Sequence, residues 1–284
     1  MAPTPDNTAT VPSPDAAERS TGPDASTDSI EARIQTAELF AEALRQDQFW
    51  LFGQPIAPLA AVKSGHRYLE IFVRFREEEE HLLPPGTFFP ILEANHLTAE
   101  LDRWVVRKVL RWAAEKRDSK ANWQIPCFNI NLADDTINDK DFARHVLDAL
   151  YESRVPPDRL WFELTVKQIA RFANPARQAI SSLQALGCAL AVSDFSGTEA
   201  DARDYWSAGV RVAKFAGSLV RDVHRNPRAL SSLLGMNNAC HKVGLQTIAQ
   251  FVEARETLPM LRKAGVDYAQ GFCIAVPVPL SVLN

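Results

Sequence analysis

An excess of basic charge is the first thing this sequence lacks. Its 31 Lys and Arg are outnumbered by 35 Asp and Glu, for a formal charge of -4, and they form neither a run nor a tail. That balance excludes a nucleic-acid duplex or an anionic membrane as the expected partner, while local positive charge in a pocket can still hold a phosphorylated small molecule. No uninterrupted apolar segment approaches the ~20 residues of a membrane span. The start carries no basic-plus-apolar signal peptide, so a soluble, cytoplasmic protein is expected. The four cysteines, Cys127, Cys188, Cys240 and Cys273, are widely spaced, without a CxxC pair or a neighbouring histidine pattern. They read as buried reduced thiols rather than a disulfide or metal framework.

What is there suits one large core, because α/β barrels take ~250 residues as a single domain. Residues 1–28 are rich in Pro, Ser, Thr, Ala and Asp with almost no large apolar side chain, so a disordered tail is expected there, and one folded domain over 29–284. Ile30, Ile34, Ala37, Leu39, Phe40 and Leu44 recur at helical spacing and predict a leading amphipathic helix. Apolar strand-like runs follow at 49–55, 68–75, 126–132, 160–165, 190–195, 210–215, 245–250 and 266–272. Helical stretches alternate with them, among them 97–114, 141–151, 176–186, 201–207, 229–243 and 255–264. The acidic run Glu77 to Glu80 reads as a solvated loop or a helix start. Strand and helix alternating every roughly 20 to 35 residues argue for a parallel sheet closed into a barrel.

The stretch around which this order turns is Leu190-Ala191-Val192-Ser193-Asp194-Phe195-Ser196-Gly197. Its small and apolar residues suit a strand covered on both faces, and its polar tip lies where α/β folds place their sites. Other strands end the same way. A closed barrel brings Glu70, Asn131, Glu163, Asp194, Lys214, Gln250 and Gln270 to one mouth. Hard oxygen donors of this kind suit Mg²⁺ or Mn²⁺ beside phosphate oxygens, and a lysine among carboxylates suits a phosphoester or a water nucleophile.

From about Ile34 to the C-terminus the chain resembles the EAL domains, whose active members hydrolyse cyclic di-GMP. The resemblance rests on Gln54-Pro55, Glu70-Ile71-Phe72-Val73-Arg74-Phe75, Asn131-Leu132, Glu163-Leu164-Thr165, Asp194-Phe195, Lys214, Val252-Glu253, and Ala269-Gln270-Gly271-Phe272 followed by Pro277. It implies an α/β fold, a modified TIM-type (β/α)8 barrel with one antiparallel strand near the start. It also implies nucleotide contacts at Gln54, Ile71, Phe72, Arg74, Gln270 and Pro277. Arg74 offers a planar fork for a phosphate or, alternatively, an ion pair with Glu70 or Glu163 that closes the barrel. Lys214 has a catalytic reading and a second one, neutralising the clustered acids.

Departures from the family pattern concern charge. The paired aspartates before the central Phe have become Ser193-Asp194, Glu-x-Thr-Glu ends in Val166, Lys-Ile-Asp has become Lys214-Phe215-Ala216, and the acid opening Glu-Gly-Val-Glu is Gln250. A two-metal site needs enough negative oxygens to bind its ions and lower the pKa of water. Glu70, Asn131, Glu163 and Asp194 remain as a remnant set, so a bridging metal pair, Mg²⁺ included, is not expected and no cofactor is required. The expectation is therefore a chain that is not an enzyme. It would be a cyclic di-GMP receptor, with Glu70, Asn131, Glu163, Asp194 and Lys214 also lining the ligand site, that signals through a protein partner. Two alternatives stand beside it: a nucleotide-independent interaction protein with a vestigial pocket, and a weak phosphodiesterase. Helix-mediated dimerisation is common in the family, and a homodimer is one assembly that this sequence does not test.

Overall fold

A computed structural model describes residues 38–59, 67–78, 81–83 and 85–283. The expected tail and the start of the leading helix, Ile30 to Ala37, lie outside the described residues. Helix α1 occupies 38–45. Strands β1 (Phe49–Pro58) and β2 (Tyr68–Glu78) then pair antiparallel, from Phe49 opposite Phe75 to Ile56 opposite Tyr68. A short β3 (His81–Leu83) adds to the far end of β2. Helices α2 (Pro85–Ala94) and α3 (Thr98–Ser119) lead into β4 (Cys127–Asn131), which lies parallel to β2.

Parallel order then continues around the ring. After β4 come α4 (Asp134–Ile137), α5 (Phe142–Ser153), β5 (Leu160–Thr165), α6 (Val166–Arg171), α7 (Ala173–Ala185) and β6 (Ala189–Phe195). The chain continues through α8 (Glu199–Ala208), β7 (Val212–Phe215), α9 (Gly217–Val220), α10 (Pro227–Val243), β8 (Gln246–Ala249), α11 (Thr257–Lys263) and β9 (Tyr268–Ala269). Strand β9 returns antiparallel to β1 through Ala57 opposite Ala269 and Pro58 opposite Tyr268, closing an eight-strand barrel of β1, β2, β4 to β9. A final β10 (Val278–Pro279) caps the edge of β1. The expected modified barrel, with its one antiparallel strand near the start, is the fold observed.

Three local expectations change. Glu77 and Glu78 are not loop or helix but the end of β2, because β3 offers them a partner, with Glu78 opposite His81. Helix α8 begins at Glu199 rather than Asp201, since Thr198 and Asp201 form a capping box: Asp201 Oδ2 accepts from the Thr198 N–H at 2.6 Å. The run expected as the last strand keeps strand pairing only at Tyr268 and Ala269. Beyond it the backbone of Gly271 comes so close to Val252 that a Cβ would lie 2.3 Å from the Val252 nitrogen, and any side chain there would displace the loops that follow β8 and β9.

The core has two parts. The larger fills the space between strands and helices, and includes Leu69, Ile71, Phe128, Phe162, Val192, Phe195, Val106 and Leu233. The smaller lies inside the ring and takes one residue from each barrel strand: Ile56, Tyr68, Cys127, Trp161, Ala191, Val212, Ile248 and Tyr268. This plug makes the barrel a packed core rather than a pore.

Asp102, buried on α3, holds the turn that follows β4. Its Oδ2 accepts from the Ala133 N–H at 2.8 Å and from the Thr136 hydroxyl at 2.6 Å, and burial pushes its carboxyl up to about 7 against those two bonds. A carboxyl raised in the fold keeps a proton that the unfolded chain has lost, so its stabilising effect is present at acid pH and is lost as pH rises from about 4 to about 7. The gap of about 3 units corresponds to a change on the order of 4 kcal/mol. Asp102→Asn, followed by urea unfolding at several pH values, is expected to flatten that part of the stability profile; parallel profiles for the two proteins would refute the assignment.

Candidate functional site

Side chains in a strand alternate between faces, so the residue two places beyond each member of the inner plug also points into the barrel. Reading toward the mouth gives Glu70, Asn129, Glu163, Ser193, Lys214, Gln250 and Gln270 from the parallel strands and their tips, and Gln54 from antiparallel β1, two places before Ile56. An apolar layer is thus followed by a wholly polar one. Every strand contributes, and the shared register sets the level.

The polar layer is bonded across the ring. Lys214 Nζ lies 2.6 Å from Glu70 Oε2 and 2.6 Å from Glu163 Oε2, and its side chain is 0% exposed. Asn131 donates to Glu70 Oε1 at 2.9 Å, Gln270 donates to Glu70 Oε2 at 2.8 Å and to Gln54 Oε1 at 2.9 Å, and Asn129 donates to Glu163 Oε2. Gln54 itself donates to the Ala275 carbonyl at 2.8 Å. Burial by itself favours the neutral forms, yet the two carboxylates hold Lys214 above the ordinary lysine value. One ammonium cannot fully serve two acids. Glu70, with Lys214, Asn131 and Gln270 on it, overcomes burial and is held below the usual range, whereas burial and the charge of Glu70 keep Glu163 above it despite Lys214.

Strand β6 breaks register opposite the lysine. Val192 pairs with Ala213 and Phe195 with Phe215, so Ser193 and Asp194 together face the single Lys214. This bulge puts Asp194 at φ 57, in the left-handed region, with its side chain exposed, while Ser193 stays buried in the layer. Asp194 is therefore at the rim and bonded to none of the other predicted residues.

Above the layer lies a cavity of about 360 Å³ whose lining includes Gln54, Glu70, Phe72, Arg74, Gln270 and Pro277, six of the residues predicted as ligand contacts. Arg74 makes no ion pair among the described residues, which removes the barrel-closing alternative. Its guanidinium lies 5.5 Å from the centre of the Phe52 ring and donates to the Val73 carbonyl, and partial burial lowers its pKa. For Lys214 the acid-neutralising reading is the one the distances support. Ile71 departs from expectation: one place out of phase with Glu70, it is buried in the outer core against the helices and does not line the cavity. Glu163 and Lys214 sit in the layer beneath, while Asn131, exposed two places beyond Asn129, bonds like Lys214 directly to Glu70.

Sequence reasoning missed three groups. Asn129 belongs to the layer and shares its strand face with Asn131, a signal that was legible. Phe251 and Arg221 line the cavity together, the guanidinium 5.7 Å from the ring centre, and Phe251 also sits at positive φ against Gly217, where a Cβ would meet the ring at 2.5 Å. Phe272, 68% exposed, lines the same cavity. Loop conformation alone brings these together, so no spacing announces them.

The donors do not fit a pair of divalent ions. Both oxygens of Glu70 and one of Glu163 are already hydrogen-bonded within the chain, two further buried acceptors, Asn129 Oδ1 and Gln270 Oε1, are uncharged amides, and among the described residues no three His, Cys, Asp or Glu side chains are grouped to hold a metal. Nor is any helix among them long and apolar enough to cross a membrane.

Comparison with known proteins follows the same architecture. The family model described as EAL domain matches residues 37–277. Among curated proteins, the chain is 26% identical over 241 residues to the cyclic di-GMP phosphodiesterase PdeB of Shewanella oneidensis, covering 85% of this chain and 28% of PdeB. It is 30% identical over 241 residues to the cyclic di-GMP phosphodiesterase PdeR of Escherichia coli, covering 84% of this chain and 35% of PdeR. The chain thus spans about a third of the length of the curated relatives it matches. The crystal structure of the Xanthomonas citri FimX EAL domain in complex with c-diGMP superposes with a TM-score of 0.79 at 23% identity, covering 90% of this chain and 98% of that one. The FimX EAL domain of Pseudomonas aeruginosa bound to c-di-GMP gives 0.77 at 24% identity, covering 85% and 96%. The relatives' names overturn the expectation of a chain that is not an enzyme, because the proteins it matches along the barrel are phosphodiesterases by name. Lost charge is not by itself evidence of lost activity: Ser193 and Gln250 alter a polar layer whose other members are in place.

Proposed function

Because this chain belongs to the EAL domain family, as the family model over residues 37–277 establishes, we propose that it binds cyclic di-GMP in the mouth of its barrel and passes occupancy to a protein partner. The observation that carries this reading is the cavity of about 360 Å³ in which Arg74, Gln54, Gln270, Phe72 and Pro277 come together from β1, β2 and the C-terminal loops. Arg74 offers a charged fork to a phosphate, and the amides of Gln54 and Gln270 and the apolar faces of Phe72 and Pro277 suit a base. Lys214 leaves the acidic layer beneath only partly compensated, so the phosphate charge rests on Arg74 and, at the rim, on Arg221. Binding without a divalent ion is part of the proposal. Hydrolysis is the reaction the curated relatives' names supply, and Ser193 and Gln250 are the positions we assign to setting its rate. The exposed rings of Phe251 and Phe272 at the cavity are where a partner would read occupancy.

Calorimetric titration with cyclic di-GMP, once in EDTA and once in Mg²⁺, with chromatography of the nucleotide afterwards, tests this. Heat of binding is expected in both buffers. Arg74→Ala is expected to weaken it by about ten- to a hundredfold, the loss of a charge-assisted contact. No heat in either buffer sinks the nucleotide reading, and heat in Mg²⁺ alone sinks its metal-independent part.

A further inference from the structure

Phe251 holds a backbone conformation that few aromatic residues adopt. Its φ of 57 lies in the left-handed region, where a bulky side chain is an outlier that the surrounding structure must impose. The next residue is clamped to the loop after β9: the Val252 N–H donates to the Gln270 carbonyl at 2.9 Å, the Cys273 N–H donates to the Val252 carbonyl at 3.0 Å, and the backbone of Gly271 presses against Val252. On the other side the ring has room only because residue 217 is glycine, since a Cβ there would stand 2.5 Å from a ring carbon. Burial does not offset this strain, for Phe251 remains 47% exposed. A strained aromatic left half in solvent at a cavity points to contact with a ligand.

The ring stands in a wall between two cavities. One is the mouth of about 360 Å³; the other, of about 590 Å³, opens beside it, and Arg221, Phe251 and Glu253 line both. The Arg221 guanidinium lies 5.7 Å from the ring centre, and its side chain makes no hydrogen bond or ion pair among the described residues. An aromatic face and an uncommitted planar fork thus stand together at the edge of the mouth. A cyclic dinucleotide carries two bases, and Phe72, Pro277 and the amides of Gln54 and Gln270 suit one of them.

We propose that Phe251 and Arg221 are the seat of the second base, the ring stacking on its face and the guanidinium donating to O6 and N7 of guanine. Stacking on an aromatic ring tolerates any base. An arginine fork instead suits the paired acceptors of guanine and is opposed by the amino group that adenine carries beside N7. Phe251 supplies affinity, and Arg221 the choice of base. This assignment rests on the cyclic di-GMP reading above and deepens it, because a base on the ring covers it and so changes the surface that reports occupancy.

Calorimetric titration in EDTA with cyclic di-GMP and with the mixed dinucleotide cyclic GMP-AMP tests both roles. The mixed ligand keeps one guanine for the first seat and offers adenine to the second. Phe251→Leu is expected to weaken cyclic di-GMP about tenfold or more, and Phe251→Trp to stay within about threefold of the unmodified protein. The unmodified protein is expected to prefer cyclic di-GMP at least about tenfold, and Arg221→Ala to bring the two ligands within about threefold of each other. No binding of cyclic di-GMP by the unmodified protein overturns the nucleotide reading and the second seat with it. Binding that Phe251→Leu leaves unchanged overturns the seat alone. Equal losses for the two ligands in Arg221→Ala, as a phosphate contact would give, overturn the choice of base. If Phe251→Leu does not fold, the two ligands' affinities for Arg221→Ala decide by the same comparison.

Discussion

Lys214→Met is expected to lower the free energy of unfolding in EDTA by about 3–5 kcal/mol, the cost of leaving buried charge without its partner. The lysine is wholly buried, Glu70 and Glu163 are 4% and 3% exposed, and no other cation reaches their oxygens among the described residues. Most of that cost belongs to the stranded carboxylates rather than to the lost attraction. The triple variant Glu70→Gln, Glu163→Gln, Lys214→Met is therefore expected to be more stable than Lys214→Met alone and to recover more than half of the loss. Urea unfolding of the three proteins reads both effects, and a triple variant as unstable as the single one would show that the lysine contributes by packing, not by charge.

The second large effect is a gain. Ser193→Asp together with Gln250→Glu is expected to raise Mg²⁺-dependent hydrolysis of cyclic di-GMP at least tenfold over the unmodified chain, a change of about 1.4 kcal/mol in the barrier. Both positions lie in the inward polar layer, Ser193 buried opposite Lys214 and Gln250 at the cavity wall. Two added carboxylates would supply negative oxygens to hold an ion, which would acidify a water. The same variant is expected to be less stable than the unmodified protein in EDTA, since it adds like charges to Glu70 and Glu163, and to regain stability in Mg²⁺. Product chromatography and thermal unfolding measure the two halves. An unchanged rate with a clear Mg²⁺-dependent gain in stability would mean that metal is restored but the attacking water is not positioned.

Phosphate binding and metal binding thus draw on different parts of one mouth. Arg74 and the cavity wall stand above the layer, Lys214 and its acids within it, and Glu70 belongs to both.

By itself the sequence determined the barrel, because apolar runs covered on both faces and alternating with amphipathic helices have few other ways to bury their surface. It determined most of the polar cluster as well: Asn131, Glu163, Lys214 and Gln270 each lie at or near the end of an apolar run, Glu70 interrupts another, and a closed ring leaves them one place to meet. Tertiary structure decided what the meeting amounts to. Whether Lys214 serves a reaction or binds two acids depends on distances of 2.6 Å set by strand register, and Ile71 faces the helices while Glu70 faces the mouth because side chains alternate along β2. The outward turn of Asp194 arises from a bulge that exists only once β6 is paired to β7, and Arg221, Phe251 and Phe272 reach the cavity through loop conformations held by contacts such as Gly271 against Val252. Periodicity carries information about faces along one element, whereas charge pairing and loop placement depend on elements far apart in the chain, which is why only the closed barrel could reveal them.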